Sequence, residues 1–409
     1  MKVLVNAYAV SPDHGSEPGM GWNWCVRLAK ECELFIITEG EFRSGIEREL
    51  AVLPHAGNMH FYYLPVSDRI RRMCWNQGDW RFYFHYRRWQ KRALALAREI
   101  CRTEQIDIIH QLNMVGFREP GFLWKIDGPQ FVWGPIGGMA LTPISYFKDG
   151  SFFQRFLILF KNGVNRLQRD YSFRVKKALR RSDCVICATP DELNRVTVHY
   201  REKAVWISET GTDCIPSSPL PKQSHTPLRL IWVGRFIPSK QLGLALQVMA
   251  RLQDSPVHLD IVGSGSEKEI ARYVELAKDL NLEKQITWHG KVSHEETGRL
   301  MSESDAFFFS SVFEATSTVV MEAISHGLPV VCFDTCGFGP LIDDGMGIKI
   351  PISDPKESIG QFAEAIQTLI AHPEMLSAFS KNALAKADSL TWDAKIKMVL
   401  ELYNGLIDS

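Results

Sequence analysis

Short runs of consecutive apolar residues recur along the chain, and each is followed by a polar or glycine-containing stretch and then by helical periodicity. Unbroken apolar runs are typical of strands in a parallel sheet that is buried on both faces. The pattern therefore predicts an α/β fold. The strands predicted in the first half are residues 3–8, 34–38, 106–110, 130–133 and 184–188.

The second half of the chain repeats this alternation. Its predicted strands are 228–233, 259–262, 286–289, 306–310 and 329–333, and its predicted helices are 242–252, 267–280 and 319–326. A stretch rich in proline, serine and threonine lies between the halves, which is typical of a linker. We predict two facing, doubly wound Rossmann-like domains with a cleft between them, at residues 1–212 and 228–390, joined by a linker at 213–227.

The composition is that of an ordinary globular protein. The 409 residues are 45% hydrophobic and 23% charged, which excludes collagen-like, disordered and disulfide-scaffold classes. The nine cysteines are scattered, and Cys184 and Cys187 lie in an apolar run, so we predict buried strand cysteines rather than a zinc site. The N-terminus is predicted to be a strand rather than a signal peptide, and no apolar stretch is long enough for a membrane span.

The net charge of zero conceals two oppositely charged halves. Residues 1–200 carry 28 basic and 20 acidic side chains, a net of +8, and residues 201–409 carry 19 and 27, a net of −8. Two windows, 69–98 and 155–181, each contain nine basic residues and one acidic residue. This asymmetry predicts domains with different partners.

Two glycine-containing loops and a pair of cations follow predicted strands. Residues 15–21 precede a helix predicted to begin at Trp22, and Gly19 and Gly21 in this loop would let a ligand approach the backbone. The spacing differs from the dinucleotide fingerprint, and an ordinary strand–helix turn explains it equally well.

The other two candidates lie in the second half. Arg235 and Lys240 come just after a buried strand, where two cations suit a diphosphate, although solvated surface cations are the alternative. Gly263 and Gly265 would keep side chains away from a flat base or ribose.

The most specific pattern is a pair of glutamates, Glu314 and Glu322, separated by a loop and the start of a helix. A carboxylate accepts hydrogen bonds from two hydroxyl groups, so Glu322 suits a ribose and Glu314 suits a sugar. The N–H groups of Thr318 and Val319, which lie between them, would meet a phosphate. Taken singly, such glutamates are usually surface residues.

These residues give the chain a resemblance to the retaining glycosyltransferases of family 4, which have the GT-B fold of two facing Rossmann-like domains. The resemblance spans nearly the whole chain, and residues 391–409 are similar to the family's last helix, which packs back on the N-terminal domain. The matching segments are residues 233–235 with Lys240, 262–265, 288–292, and the two glutamates with the sequence that follows them to residue 331.

The resemblance implies a role for each matching residue. Arg235 and Lys240 would neutralise the donor diphosphate, and Gly19 and Gly21 would close over the phosphates and the acceptor. Glu314 would act at the donor sugar as a catalytic residue. The ribose and base would be held by Glu322, Gly263, Gly265, Lys291 and Val292.

The family also implies retention of the anomeric configuration, no metal, and no cofactor other than the nucleotide-sugar substrate. We assign no covalent nucleophile. Gln241 stands where a glycine is common, and residues 315–317 replace a glycine-containing stretch, so the donor sugar stays open. His110 ends a segment similar to the family's Asp-x-x-His strand end, and it is either a catalytic residue or a structural one.

Both basic windows have helical periodicity, and their apolar stripes are predicted to face the core. Their basic faces, which carry additional aromatic residues, fit an anionic membrane surface. A solvated basic face is the alternative, and binding of nucleic acid is less favoured because no such motif is present. The stripes are Phe82, Tyr86, Trp89, Ala93, Leu96 and Ile100 in the first window, and Phe156, Phe160, Val164, Leu167, Tyr171, Val175 and Ala178 in the second.

The sequence thus predicts a retaining, metal-independent hexosyltransferase. Its acceptor would be a lipid-linked molecule or a surface polysaccharide, as in the synthesis of exopolysaccharide, capsule or lipopolysaccharide. We expect a cytoplasmic protein, peripheral at the inner face of the cytoplasmic membrane. The alternatives are a soluble small-molecule acceptor and a non-catalytic scaffold that binds nucleotide sugars.

Overall fold

The structure is a computed structural model that describes residues 1–76, 79–147, 152–213, 221–222 and 225–408. Most of the predicted linker at 213–227 lies outside the described residues. The chain forms two compact units: the first contains residues 1–140, 164–210 and 392–409, and the second contains residues 141–163 and 211–391.

The first unit is built on a parallel sheet with the strand order β3-β2-β1-β4-β5-β6-β7. The strands are β1 Lys2–Ala7, β2 Glu33–Thr38, β3 Met59–Tyr63, β4 Ile108–Asn113, β5 Gln130–Ile136, β6 Cys184–Cys187 and β7 Ala204–Trp206. The helices in this part of the chain are α1 Ser16–Leu28, α2 Arg43–Leu50, α3 Asp68–Trp75, α4 Phe82–Thr103, α5 Phe152–Tyr171, α6 Phe173–Arg181 and α7 Pro190–Asn194.

The second unit has a parallel sheet with the order β10-β9-β8-β11-β12-β13. The strands are β8 Leu228–Val233, β9 Val257–Val262, β10 Ile286–Gly290, β11 Ala306–Phe309, β12 Val330–Phe333 and β13 Gly347–Ile350. The helices that follow are α8 Leu242–Arg251, α9 Glu267–Asp279, α10 His294–Glu303, α11 Thr318–Ser325, α12 Pro355–Ala371, α13 Pro373–Ala387 and α14 Trp392–Ile407.

Both strand orders confirm the prediction of two Rossmann-like α/β domains. In each sheet the order reverses once, between β1 and β4 in the first unit and between β8 and β11 in the second. Ligands of open α/β sheets bind at the carboxyl ends of the strands beside this reversal. The candidate cations and the first candidate glutamate of the second unit follow β8 and β11.

Residues 141–163 belong to the second unit, whereas the sequence analysis assigned all of 1–212 to one domain. The reason is Tyr146, which is buried in the core of the second unit. Its hydroxyl is 2.7 Å from Oγ of Ser358, and its carbonyl accepts a hydrogen bond from Nε2 of Gln241 at 2.8 Å.

The last helix, α14, belongs to the first unit. Trp392, Ile396, Val399 and Tyr403 are buried in a core cluster that also contains residues of β1, β2 and α1. Asp393 accepts a hydrogen bond from Lys30 at 3.0 Å on the surface of this contact.

The cysteine prediction is confirmed, because Cys184 and Cys187 are buried in β6. Burial raises the pKa of both thiols, so they are protonated at neutral pH.

The two basic windows differ in which face they bury. In α4 the predicted stripe does face the core, where Phe82, Tyr86, Trp89, Ala93 and Ile100 are buried. In the second window the prediction is wrong for α5, because its stripe is exposed: Phe156 is 55% exposed, Phe160 60%, Leu167 62% and Tyr171 76%.

Polar side chains hold α5 to the protein instead. Asn162 Nδ2 donates to the carbonyl of Thr142 at 2.9 Å. Asn165 Nδ2 donates to the carbonyl of Ala140 at 3.0 Å, and the guanidinium of Arg169 donates to that of Met139 at 3.3 Å. The helix therefore buries its polar side and exposes its apolar side. Within the described ranges, no helix combines the length and apolarity needed to cross a membrane.

Candidate functional site

Three glycines meet at the carboxyl ends of β8, β9 and β10. The N–H of Gly234 donates to the carbonyl of Val262 at 3.0 Å, and the N–H of Gly263 donates to that of Gly290 at 2.8 Å. Gly263 has a φ of +137°, and a Cβ at this position would lie 1.8 Å from the carbonyl oxygen of Gly234. The three strand ends thus form a backbone surface, called here the glycine surface, that carries no side chain at these positions.

Gly265 extends this surface into the turn before α9. A Cβ at this position would lie 2.8 Å from Cβ of Phe236 and from the carboxylate of Glu269. The same carboxylate accepts a hydrogen bond from the N–H of Ser266 in a capping box that fixes the start of α9. Packing alone therefore favours glycine at position 265.

Lys240 and Glu314 form an ion pair beside the reversal of strand order. Lys240 ends a short turn that follows β8, and Glu314 lies in the loop that follows β11. The ammonium of Lys240 contacts Oε1 of Glu314 and lies 4.7 Å from the centre of the Phe309 ring. Only 12% of the Lys240 side chain and 16% of the Glu314 side chain are exposed. From the sequence, Lys240 is predicted to bind the diphosphate and Glu314 the sugar, whereas in the structure the two side chains are partners of each other.

Two serines after β11 hold this pair in place. Ser310 Oγ donates to the carbonyl of Lys240 at 2.8 Å and accepts from the indole N–H of Trp232 at 3.0 Å. Ser311 Oγ donates to Oε1 of Glu314 at 2.9 Å. Neither serine is among the residues predicted from the sequence, although two hydroxyl residues directly after the all-apolar β11 are a recognisable signal.

Gln241 shows why a glycine is common at its position. Its φ and ψ are +52° and +41°, in the left-handed region that favours glycine. Its side chain stabilises this conformation, because Nε2 donates to the carbonyls of Tyr146 and Pro238 at 2.8 and 2.7 Å.

Glu322 lies in α11 with 18% of its side chain exposed. Burial raises the pKa of this carboxyl, and His294, with Nδ1 4.0 Å from Oε2, opposes the increase. Among the residues that the structure describes, no donor is within hydrogen-bond distance of the Glu322 carboxylate. Its acceptor capacity is therefore available for hydroxyl groups of a ligand.

The N-terminus of α11 is formed by Thr318 and Val319. The preceding Ser317 makes no side-chain cap, so the first N–H groups of the helix are not used by it. Thr318 is exposed, and the helix dipole favours an anion at this end. The loop before α11 is fixed by Cys336, whose Sγ accepts from the N–H of Glu314 at 3.3 Å, a contact that no sequence pattern indicated.

Three other predicted residues border the glycine surface. Arg235 follows Gly234 and is exposed, Lys291 follows Gly290 and is exposed, and Val292 is half-buried. The position of Lys291 and Val292 beside the end of β10 is the one expected for contact with a base, and Arg235 is accessible to a diphosphate.

His110 is buried in β4 of the first unit, with 0% exposure. Its Nε2 is 2.6 Å from the carbonyl of Gly134, so Nε2 is the donor, and Nδ1 accepts from the hydroxyl of Tyr403 at 2.5 Å. Burial lowers the pKa of His110 to about 4, which keeps the ring neutral. These contacts favour the structural role over the catalytic one.

Gly19 and Gly21 lie inside α1, which begins at Ser16 and not at Trp22 as predicted. Both glycines pack against the preceding loop. A Cβ on Gly19 would lie 2.2 Å from the carbonyl of His14, and a Cβ on Gly21 would lie 2.6 Å from that of Ala9. The tight strand–helix turn therefore accounts for these glycines by itself.

Among the described residues, no group of three histidine, cysteine, aspartate or glutamate side chains could hold a metal ion. The candidate site contains cations, backbone N–H groups and separate carboxylates, and cations with N–H groups are suited to a phosphorylated ligand.

Comparison with known proteins identifies the domain that contains this site. Residues 220–386 match the model of the family Glycosyl transferases group 1. The chain contains a glycosyl transferases group 1 domain. This domain includes Arg235, Lys240, Glu314 and Glu322.

Among curated proteins, the chain is similar to the lipopolysaccharide core biosynthesis glycosyltransferase LpsE of Rhizobium meliloti. The two are 27% identical over 236 residues, which cover 53% of this chain and 66% of that protein. The match covers less than two thirds of the length of these curated relatives. It covers 66% of LpsE and 40% of a D-inositol 3-phosphate glycosyltransferase of Rhodococcus erythropolis.

Solved structures match the whole chain and show the GT-B fold. Sucrose-phosphate synthase from Thermosynechococcus elongatus has a TM-score of 0.65 at 17% identity, over 100% of this chain and 99% of that one. Anabaena Alr3699/HepE in complex with UDP has a TM-score of 0.61 at 15% identity, over 99% of this chain and 100% of that one.

Proposed function

We propose that this protein is a retaining, metal-independent glycosyltransferase of family 4 that transfers a sugar from a nucleotide-diphosphate donor to a lipid-linked or surface-polysaccharide acceptor. The observation that carries the proposal is the Lys240–Glu314 pair beside the strand-order reversal of a glycosyl transferases group 1 domain. A cation and a carboxylate in this position serve the two parts of a nucleotide sugar, its diphosphate and its hexose.

In the proposed donor complex, the diphosphate competes with Glu314 for Lys240. Lys240 and Arg235 then neutralise the phosphates together with the N–H groups of Thr318 and Val319. Released from Lys240, the Glu314 carboxylate accepts hydrogen bonds from hydroxyl groups of the sugar. The backbone surface at Gly263 and Gly265 receives the nucleoside.

Glu322 completes the donor site by accepting hydrogen bonds from the ribose hydroxyls, and Lys291 and Val292 lie against the base. During transfer, the bond between the anomeric carbon and the diphosphate oxygen breaks, and the diphosphate keeps the electron pair. The oxygen of an acceptor hydroxyl bonds to that carbon, and its proton passes to the leaving diphosphate. Negative charge grows on the leaving diphosphate, so Lys240 and Arg235 act more strongly in the transition state than in the ground state.

The acceptor class is supported by charge and by the similarity to a lipopolysaccharide core glycosyltransferase. The windows 69–98 and 155–181 carry the excess positive charge of the first half, which suits an acceptor at an anionic membrane surface. Part of this charge is neutralised within the protein, because Arg87 and Arg174 both bind the buried Glu119.

Turnover of labelled nucleotide sugars tests the donor site. We expect release of a nucleoside diphosphate, and a thermal-shift panel of nucleoside diphosphates identifies the base. Lys240→Ala removes a charge-assisted contact, so we expect about 10- to 100-fold weaker binding, since such contacts contribute about 1.5–3 kcal/mol. Glu322→Ala is expected to weaken binding of nucleosides that carry both ribose hydroxyls.

Lys284→Ala and Glu283→Ala are the matched controls, because both side chains are exposed in the same unit. Unchanged release in Lys240→Ala and Glu322→Ala would show that the site is assigned wrongly. Stabilisation by nucleoside diphosphates without turnover of any nucleotide sugar would indicate the non-catalytic scaffold, and absence of any stabilisation would contradict the donor site itself. Transfer to soluble sugars but not to lipid-linked or polysaccharide acceptors would contradict the proposed acceptor class.

A further inference from the structure

Helix α5 exposes a continuous apolar stripe along its length. The stripe, called here the inverted face, consists of Phe153, Phe156, Phe160, Leu167 and Tyr171, and these side chains are between 55% and 76% exposed. Their spacing of three, four, seven and four residues places them on one side of a helix with 3.6 residues per turn. An exposed apolar area of this kind marks an interaction surface.

The inverted face is not the result of a loosely attached helix. Asn162, Asn165 and Arg169 lie on the opposite side of α5, where they bind the carbonyls of residues 138–142. Asn162 Oδ1 also accepts from the N–H of Thr142 at 3.1 Å. Since the polar side is fastened to the backbone, the apolar side is held outward in a preformed orientation.

Cations border the inverted face. Lys161 and Arg166 are exposed on α5, on either side of the stripe. At the junction with α6, the ammonium of Lys176 lies 5.8 Å from the Tyr171 ring, and that of Lys177 lies 5.9 Å from the ring of Phe173, which is 75% exposed. Aromatic rings with adjacent lysines are suited to the boundary between acyl chains and anionic headgroups.

We propose that the inverted face of α5 inserts its phenylalanine and leucine side chains into the interfacial region of an anionic bilayer, while Lys161, Arg166 and the lysines of α6 bind the headgroups. The inference deepens the proposed function and rests on it for the nature of the acceptor. It differs from purely electrostatic binding by the basic windows, because the apolar side chains enter the bilayer.

A second copy of the chain fits this face less well. A twofold interface brings the same patch of both subunits together, so Lys161 and Arg166 would face cations of their own kind. A membrane of anionic lipid complements the apolar stripe and the cations at the same time. Because α5 is already folded and fixed, insertion does not have to order the helix.

Flotation with lipid vesicles tests the inference on the full chain. The probes are vesicles of phosphatidylcholine alone and of phosphatidylcholine mixed with phosphatidylglycerol. We expect the wild type to float with the mixed vesicles. The variant Phe153→Ser/Phe156→Ser/Phe160→Ser is expected to bind them about 100-fold more weakly, which corresponds to about 2.8 kcal/mol.

The matched control is Val52→Ser/Val198→Ser/Met398→Ser, which also removes three exposed apolar side chains, with exposures of 76%, 68% and 42%. We expect this control to float like the wild type. Lys161→Gln/Arg166→Gln is expected to reduce binding to the mixed vesicles and to weaken its dependence on salt. Urea unfolding of each variant verifies that the fold is retained.

Equal flotation of the phenylalanine variant and the wild type would overturn the inference, as would a wild type that does not float. Light scattering tests whether a second copy of the chain covers the inverted face instead. The inference would also be overturned if the wild type is a dimer, the phenylalanine variant is a monomer, and both float equally. Flotation without stabilisation by nucleoside diphosphates would support the bilayer surface and contradict the proposed function. Stabilisation without flotation would contradict the bilayer surface alone.

Discussion

The hydroxyl of Tyr403 is predicted to be essential for the stability of the first unit. In Tyr403→Phe the Nδ1 atom of His110 loses its donor, and neither side chain can obtain a water molecule, because both are 0% exposed. Leaving a buried acceptor unsatisfied costs about 1–3 kcal/mol, so we expect the free energy of unfolding of the first unit to fall by about 2 kcal/mol. The 2.5 Å bond between the two side chains is the contact that is lost.

Urea unfolding at pH 7.5 measures this loss, and amide hydrogen exchange of residues 108–113 assigns it to the first unit. Tyr171→Phe is the matched control, since its hydroxyl is exposed and solvated. A change below about 0.5 kcal/mol in Tyr403→Phe would refute the reasoning, because surface substitutions have effects of that size. Loss of turnover in a variant of normal stability would show that His110 acts on substrate.

Three further predictions concern pH and packing. Burial lowers the pKa of His110 from 6.5 to about 4. At this site the unfolded chain therefore binds more protons than the folded one between these values, and the contribution of His110 to the free energy of unfolding of the first unit should decrease by about 3 kcal/mol as the pH falls through this window. Gly263→Ala places a Cβ against Gly234 at positive φ, and should destabilise the second unit by at least about 2 kcal/mol and weaken nucleoside-diphosphate binding. Tyr146→Phe removes a buried hydroxyl that bonds to Ser358, and should destabilise the second unit by about 1–2 kcal/mol in urea unfolding.

Each of these predictions has a matched comparison. For the pH dependence, His110→Gln should flatten the profile and the exposed His55→Gln should not; equal profiles would contradict the assignment. For the glycine, Gly57→Ala adds a methyl group with no atom of another residue within 4 Å, and a similar loss in both variants would contradict the close contact. For Tyr146, an effect no larger than that of Tyr171→Phe would contradict the hydroxyl contact.

The sequence predicted the central strands of both sheets and one edge strand, β10, and it missed the other three edge strands. β3, β7 and β13 are edge strands, and most of their residues are only half-buried. An edge strand has a neighbour on one side only, so its sequence lacks the unbroken apolar run by which β8 and β11 could be recognised. The class of fold followed from the central strands alone.

The residues of the candidate site were recognisable as types, but their contacts were not. Lys240 and Glu314 could be named from their place after two strands, whereas their pairing depends on the adjacency of β8 and β11, which periodicity does not encode. The inversion of α5 was hidden for a related reason. The apolar stripe has the same period whether it faces a core or solvent, and only the buried contacts of Asn162, Asn165 and Arg169 decide between the two.

The three-part composition of the first unit constrains how the protein is made. Its core requires α14, while residues 211–391 of the second unit lie wholly between the segments of the first. His110 and Tyr403 are 293 residues apart, so at about 5–20 residues per second roughly 15–60 s separate their synthesis. We therefore expect the second unit to complete its fold first, during synthesis. Until α14 is synthesised, part of the apolar surface of the first unit should stay exposed to solvent.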